Sequence, residues 1–342
     1  MTPTDPTVLA TDTRRDSAAG RANARPAAES DTSPSTPTVR RTGRGSRRKS
    51  LEIVLFVAPA LLVYVGFVLL PVVLAAYYSV YKWNGLGPLE DFVGLDNYTR
   101  ALSDPVFIGA MGHNLFFVVA SLVVQGPIAI GVALLLNRAM RGRSIFRVII
   151  FIPYVLSEVI SAVAWLLILQ PQGPFDAVME AVGLGDLRQL WLADLNVVIW
   201  TLLAVVSWKY VGFAIILFLA GLQGVPEELT EAAQIDGASW WQVQRHITIP
   251  LLGPTIRIWA FLSIIGSLQL FDMVWVMTGG GPANASSTMA TYMIQFGFQR
   301  SQLGFGSAIA VILFVISFTF ALIYQRFVLR RDTEGALTRG VG

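Results

Sequence analysis

Six long apolar stretches divide this chain. They run over residues 53–79, 114–136, 145–169, 197–222, 255–277 and 307–329, with polar segments between them. Each is long enough to cross about 30 Å of hydrocarbon as a helix, which takes roughly 20 residues. A helix also satisfies its own backbone hydrogen bonds, which lipid cannot do. The pattern predicts an all-α integral membrane protein with six transmembrane helices. Residues 1–50 are a different polymer, rich in Thr, Ser, Pro, Ala and Arg and almost free of large apolar side chains. Such a segment cannot bury enough surface to offset its chain entropy and reads as a disordered basic cytoplasmic tail. The expected order is then a first transmembrane helix over 51–81, an outer loop over 82–109, a five-helix domain over 110–325 and a second cytoplasmic tail over 326–342. The first apolar stretch is too long, and follows too long a polar tail, for a cleavable signal. Pro59, Pro71, Pro127 and Pro153 fall in or near the spans, where neighbouring helices can satisfy freed carbonyls.

Composition points the same way. Only 14% of residues are charged and the mean hydropathy is +0.60, against about 25% charged in ordinary soluble domains. There is no Cys, hence no disulfide framework and no thiolate ligand. His113 and His246, far apart in the chain, offer no histidine metal cluster. The basic tail suits water or an anionic lipid surface, and no aromatic or motif residue in it supports nucleic-acid binding. With the N-terminus cytoplasmic, twenty Lys and Arg fall inside and four outside, with Lys209 left in a span. The positive-inside bias therefore puts both ends of the chain inside a plasma membrane crossed several times.

The inner segment at 226–250 reads PEELTEAAQIDGASWWQVQRHITIP. Pro226 suits a first helical position, and Glu227 and Glu228 suit the positive end of a helix. Leu229, Ala232 and Ala233 share a face. Asp236-Gly237 ends this helix, Ser239 caps another, and Pro250 is expected to stop that one before the next span. Two short amphipathic helices joined at a glycine could pack on their own bundle, lie in the lipid interface, or dock a cytosolic partner.

The segment resembles the EAA loop of permease subunits of bacterial ATP-binding cassette importers. The family's pattern is Glu-Ala-Ala, three residues, Gly, nine residues, Ile-x-Leu-Pro. Here Glu231-Ala232-Ala233, Gly237, Ile247, Ile249 and Pro250 match it in spacing, with Ile249 where Leu is usual. Phe92-Val-Gly-Leu-Asp-Asn-Tyr98, Phe271-Asp272, Thr278-Gly-Gly-Gly-Pro282 and Phe296-Gly-Phe298 are similar to segments of the carbohydrate-uptake branch, related to the maltose and glycerol-phosphate permeases. The resemblance covers about residues 51–330. It implies the type-1 importer permease fold. It also implies that Glu231, Ala232, Ala233, Asp236, Gly237, Ile247 and Pro250 form the coupling element toward a separate ATPase. The implied partners are a second homologous permease, two ATPase subunits that bind ATP and Mg, an extracellular or periplasmic solute-binding protein, and the bilayer. The implied solute is a sugar or related polyol, and this chain itself carries no cofactor and no catalytic residue. Consistently, no Gly-x-x-x-x-Gly-Lys-Ser/Thr phosphate loop occurs, and Gly279–Pro282 reads as a flexible outer loop.

Glu158, Lys209 and Asp272 are ionisable residues in or near spans, where charge is costly. They pair with one another, lie near an interface, or line a solute path. Gln269, Asp272 and Trp275 recur along one helix face, and Trp208, Lys209 and Tyr210 add aromatic and hydrogen-bonding groups. These residues are candidates for a translocation path, because a sugar ring offers apolar faces and a hydroxyl rim. The competing reading is an ion-gradient-driven secondary carrier using Glu158 or Asp272, which leaves the segment at 226–250 unexplained. A membrane-embedded enzyme would need clustered acids or a metal motif, and none is seen.

Overall fold

The structure is a computed structural model that describes residues 44–138 and 141–330. The tail readings over 1–43 and 331–342 lie outside the described residues. Residues 44–50, expected in the first tail, are helical instead, as the start of Arg44–Tyr64. Arg and Lys are good helix formers, so the apolar helix extends back through Arg47, Arg48 and Lys49.

Residues 1–58 and 59–342 are two separate units. In the first, described residues 44–58 form the opening of that helix. The second holds the rest of the first span and the remaining spans. The helices long and apolar enough to cross a membrane are Ile53–Tyr78, Pro105–Leu136, Val198–Leu222, Gly253–Thr278 and Leu303–Leu329. The bent pair Arg143–Val155 and Glu158–Ile168, meeting at 96°, makes a sixth when taken as one span, and it is the third in chain order. The fourth span, Val198–Leu222, is the most buried of these helices and is apolar around most of its circumference, with Lys209 as its one charge. Side chains of the first span such as Leu62 and Phe67 stay exposed, at 73% and 80%.

Among the described residues, buried side chains form three clusters. Phe117, Leu202 and Met273 join the second, fourth and fifth spans. Ala129, Phe218 and Trp259 join the same three spans at their other ends. Phe107, Tyr292 and Ile309 tie the second span to the sixth and to the short helix Met289–Tyr292. Gly126 lets Trp259 lie against the second span, since a Cβ there would stand 2.7 Å from the indole.

The prolines break the helices less than expected. Pro71, Pro127 and Pro250 each follow a widened π turn, over Val65–Leu69, Ser121–Gln125 and Gln244–Thr248. In each case the residue before the proline donates back five residues: Leu70 to Val65, Gly126 to Ser121 and Ile249 to Gln244. The extra residue in the turn absorbs the hydrogen bond that proline cannot make. Pro250 therefore does not stop its helix, which runs on through Ile249–Leu251 to a turn at Leu252.

Two breaks were not expected. The third span, read as one helix over 145–169, parts after Val155, because Leu156 and Ser157 are extended at ψ 146° and 143°. The fifth parts between Leu268 and Asp272. A helix end leaves carbonyls without intrahelical partners, and lipid offers none. Asn114 Nδ2 donates to the carbonyls of Ser267 at 2.8 Å and Leu268 at 3.2 Å, and Thr288 Oγ1 to that of Leu270 at 2.8 Å. Lys209 serves the third span in the same way. The Gly279–Pro282 segment is no open loop either. Ser286, Ser287 and Thr288 fold back against it fully buried, and a Cβ at Gly280 would lie 2.6 Å from Ser287 Oγ.

Candidate functional site

Connectivity puts the 226–250 segment at the same end of the bundle as the turn joining the second and third spans. It forms an elbow. Helix Glu227–Ile235 has Pro226 as its N-cap, extended at ψ 129°, so the helix begins one residue later than the proline. It closes on a Gly237 turn at φ +82°. Gly237 N donates to Gln234 O at 3.0 Å and Ala238 N to Ala233 O at 2.9 Å, the paired bonds of a Schellman end. Ser239 then caps Trp240–Val243, and its N–H donates to Gln242 Oε1 at 2.7 Å. Val243 is buried and anchors the elbow in the bundle. Arg138, from the turn after the second span, stacks its guanidinium 4.2 Å from the centre of the Trp240 ring.

The outward side of the elbow is apolar as well as acidic. Ile235 is 85% and Trp241 72% exposed, with Leu229 near them in sequence. Glu231, Ala232, Asp236, Gly237 and Pro250 are exposed, and Ala233 and Ile247 half-buried. A shallow hollow between the two arms is lined by Gly237, Ala238, Val243 and Ile247.

Within the bundle, a cavity of about 230 Å³ opens between the second, third, fourth and fifth spans. Its polar lining includes Ser121, Gln125, Ser263 and Ser267, and its aromatic lining includes Tyr154, Tyr210, Phe213 and Trp259. Tyr154 and Phe213 stack with centroids 4.8 Å apart. The lining side chains include no Asp, Glu, Lys, Arg or His. None of the six residues expected on the path lines this cavity. Glu158 and Lys209 line an adjoining cavity that shares Tyr154 and Tyr210 with it. Glu158 accepts a hydrogen bond from the Tyr210 hydroxyl. Trp208 points elsewhere, 36% exposed and edge-on to Trp165. Gln269 is exposed in the break of the fifth span, Asp272 begins the helix after it, and Trp275 stacks on Phe271. Sequence reasoning passed over Gln125, Ser263 and Ser267. The signal was there, as a carboxamide and a pair of hydroxyls at i, i+4 inside otherwise apolar spans. Asn114 was missed likewise.

Interrupted spans around a polar and aromatic cavity, with a capped elbow outside the bundle, describe a membrane permease: a protein built to pass a solute. A sequence profile of the binding-protein-dependent transport system inner membrane components matches residues 125–333, and the chain belongs to that family. Curated relatives include sugar permeases. The trehalose/maltose transport system permease MalF of Thermococcus litoralis is 32% identical over 80% of this chain and 92% of its own. The diacetylchitobiose uptake permease NgcF of Streptomyces coelicolor is 30% identical over 86% and 88%. The crystal structure of a bacterial ABC transporter that imports the acidic polysaccharide alginate superposes with a TM-score of 0.73. That match is at 23% identity over 84% of this chain and 98% of the other, so it shows a shared fold. The chain is thus a permease of the sugar ABC importer family, an all-α multi-pass membrane protein.

Proposed function

We propose that this chain forms half of the pore of a binding-protein-dependent importer and takes its driving force from a separate ATPase through the elbow around Gly237. A second, homologous permease supplies the other half. Two ATPase subunits bind ATP and Mg, and a solute-binding protein delivers the cargo on the outer side. Both chain ends and the elbow face the cytoplasm, as the distribution of Lys and Arg favours. The solute is an uncharged sugar or related polyol, for which the cavity offers aromatic faces, hydroxyls and a carboxamide.

The observation that carries this reading is the elbow. Its fold is fixed by backbone bonds at Gly237, yet it leaves Ile235 and Trp241 bare outside the spans. Large apolar side chains held exposed on a well-fixed element outside the spans suit a contact with something else. An ion-driven carrier gives this surface no task. Reconstitution separates the two. Vesicles holding this chain and its permease partner alone should accumulate no solute. Adding the ATPase, ATP and liganded binding protein should start uptake. Accumulation driven by an ion gradient without the ATPase would sink the reading.

A further inference from the structure

Among the described residues, the charge most deeply placed in the bundle is Lys209, 1% exposed. Its ammonium donates to the carbonyls of Pro153 at 3.0 Å and Tyr154 at 3.4 Å, and to that of Leu156. Those are the open carbonyls at the C-terminal end of Arg143–Val155, where the third span bends by 96°. We propose that Lys209 is a positioning residue for transport: it pins the bend of the third span to the fourth, so that Tyr154 and Tyr210 stand as one wall of the solute cavity. This rests on the reading of that cavity as the solute path.

The chemistry of the bend calls for a cation. A helix end leaves its last carbonyls unpaired and carries about half a negative charge. An ammonium brings three N–H donors, and three carbonyls meet it. The positive charge is therefore met in part by a helix end, and the Glu158 carboxylate on the same cavity adds to the attraction. The other half of the bend has the opposite polarity. Glu158 lies in the first turn of Glu158–Ile168, at the positive end of that helix, and accepts from Tyr210 OH. Two successive residues of the fourth span thus hold the two sides of the bend, one by its charge and one by its hydroxyl.

Two further contacts make the arrangement specific to Tyr154. Gly212 lets the fourth span close on the third, since a Cβ there would stand 2.1 Å from Ile150 O. The ring of Tyr154 stacks on Phe213 while its carbonyl accepts from Lys209. Backbone and ring of one cavity residue are both held by the fourth span. Freeing the carbonyls would let the bend open and the Tyr154 ring leave the wall, without touching the elbow that receives the ATPase.

The distinguishing quantity is solute moved per ATP hydrolysed by the complete importer in vesicles. Lys209→Met keeps the apolar stem and removes all three donors. We expect it to lower solute per ATP about tenfold, with hydrolysis stimulated by liganded binding protein kept within about twofold. Lys209→Arg, which restores charge and donors, should return to within about threefold of the native ratio. Should Lys209→Met not assemble, Lys209→Gln, with two donors and no charge, takes its place with the same expectation. An unchanged ratio in the variant overturns the proposal. So does a parallel loss of uptake and hydrolysis, which is what a merely structural lysine would give. A native complex that imports without ATP overturns the proposed function itself, and with it the solute-per-ATP ratio this proposal predicts, and that result requires no variant at all.

Discussion

Gly237 carries a conformational demand that can be separated from a steric one. Its φ is +82°, and nothing lies within 4 Å of where a Cβ would be. A side chain at 237 therefore meets open space, and its cost is that of holding an L-residue in the left-handed region, about 1–2 kcal/mol. Asn tolerates that region better, and a β-branched residue worst. At 1.4 kcal/mol per tenfold, Gly237→Ala shifts the local balance against the bent elbow by roughly 5- to 30-fold. The bonds at stake are Gly237 N to Gln234 O and Ala238 N to Ala233 O. Losing them frees the helix Glu227–Ile235 to swing or to continue straight, while the spans keep every contact. The assay is ATP-driven uptake at matched amounts of assembled complex, with hydrolysis measured alongside. Uptake should fall in the order Gly, Asn, Ala, Val, while thermal stability of the bundle stays level. A Val variant that imports like the native protein, or an Asn variant worse than Val, would refute the conformational argument.

Three other outcomes follow from single contacts. Gly212→Ala places a methyl 2.1 Å from the Ile150 carbonyl oxygen, a backbone clash of the kind that costs at least about 1–3 kcal/mol; the assembled complex should melt at a lower temperature, and an unchanged melting point refutes the close approach. Arg138→Ala removes a cation–π contact on Trp240 worth about 0.5–1 kcal/mol; uptake should drop by no more than about fivefold, and complete loss would mean that Arg138 does something else. Tyr292 donates to Asp104 Oδ2 at 2.6 Å. Burial first, and then that carboxylate, raise its phenol above the ordinary 10.0. A raised phenol stabilises the fold below pH 10 and loses that contribution as pH climbs through the native value. Stability should therefore fall on the alkaline side in the native protein, and Tyr292→Phe should lessen that fall; an identical alkaline profile in both would contradict it.

Why some of this was legible in the sequence and some not has a physical answer. The spans, the elbow and its glycine are written in local terms: apolar runs of membrane length, a cap, a helix-ending pair. Local chemistry decided them, and the capping of Ser239 and the turn at Gly237 fall where those residues require. Pro250 misled because a proline rule assumes a regular α-helix ahead of it, and the π turn at Gln244–Thr248 alters that premise. The breaks in the third and fifth spans are harder still. Nothing within 145–169 or 255–277 announces them apart from Pro153, since an unpaired carbonyl in a bilayer is ruled out unless another helix answers it. The answers sit elsewhere in the chain. Asn114, on the second span, meets Ser267 and Leu268 across more than 150 positions, and Lys209 meets Pro153, Tyr154 and Leu156. A polar residue in a span was read for what it does to a solute or to another charge, when here it completes a neighbouring backbone. In a membrane protein the two readings differ by one question: whether a broken helix lies within reach. For Asn114 and Lys209 it does; Ser263 and Ser267 face open volume instead, and Gln125 borders that volume while its amide donates to Ser207 Oγ at 3.1 Å.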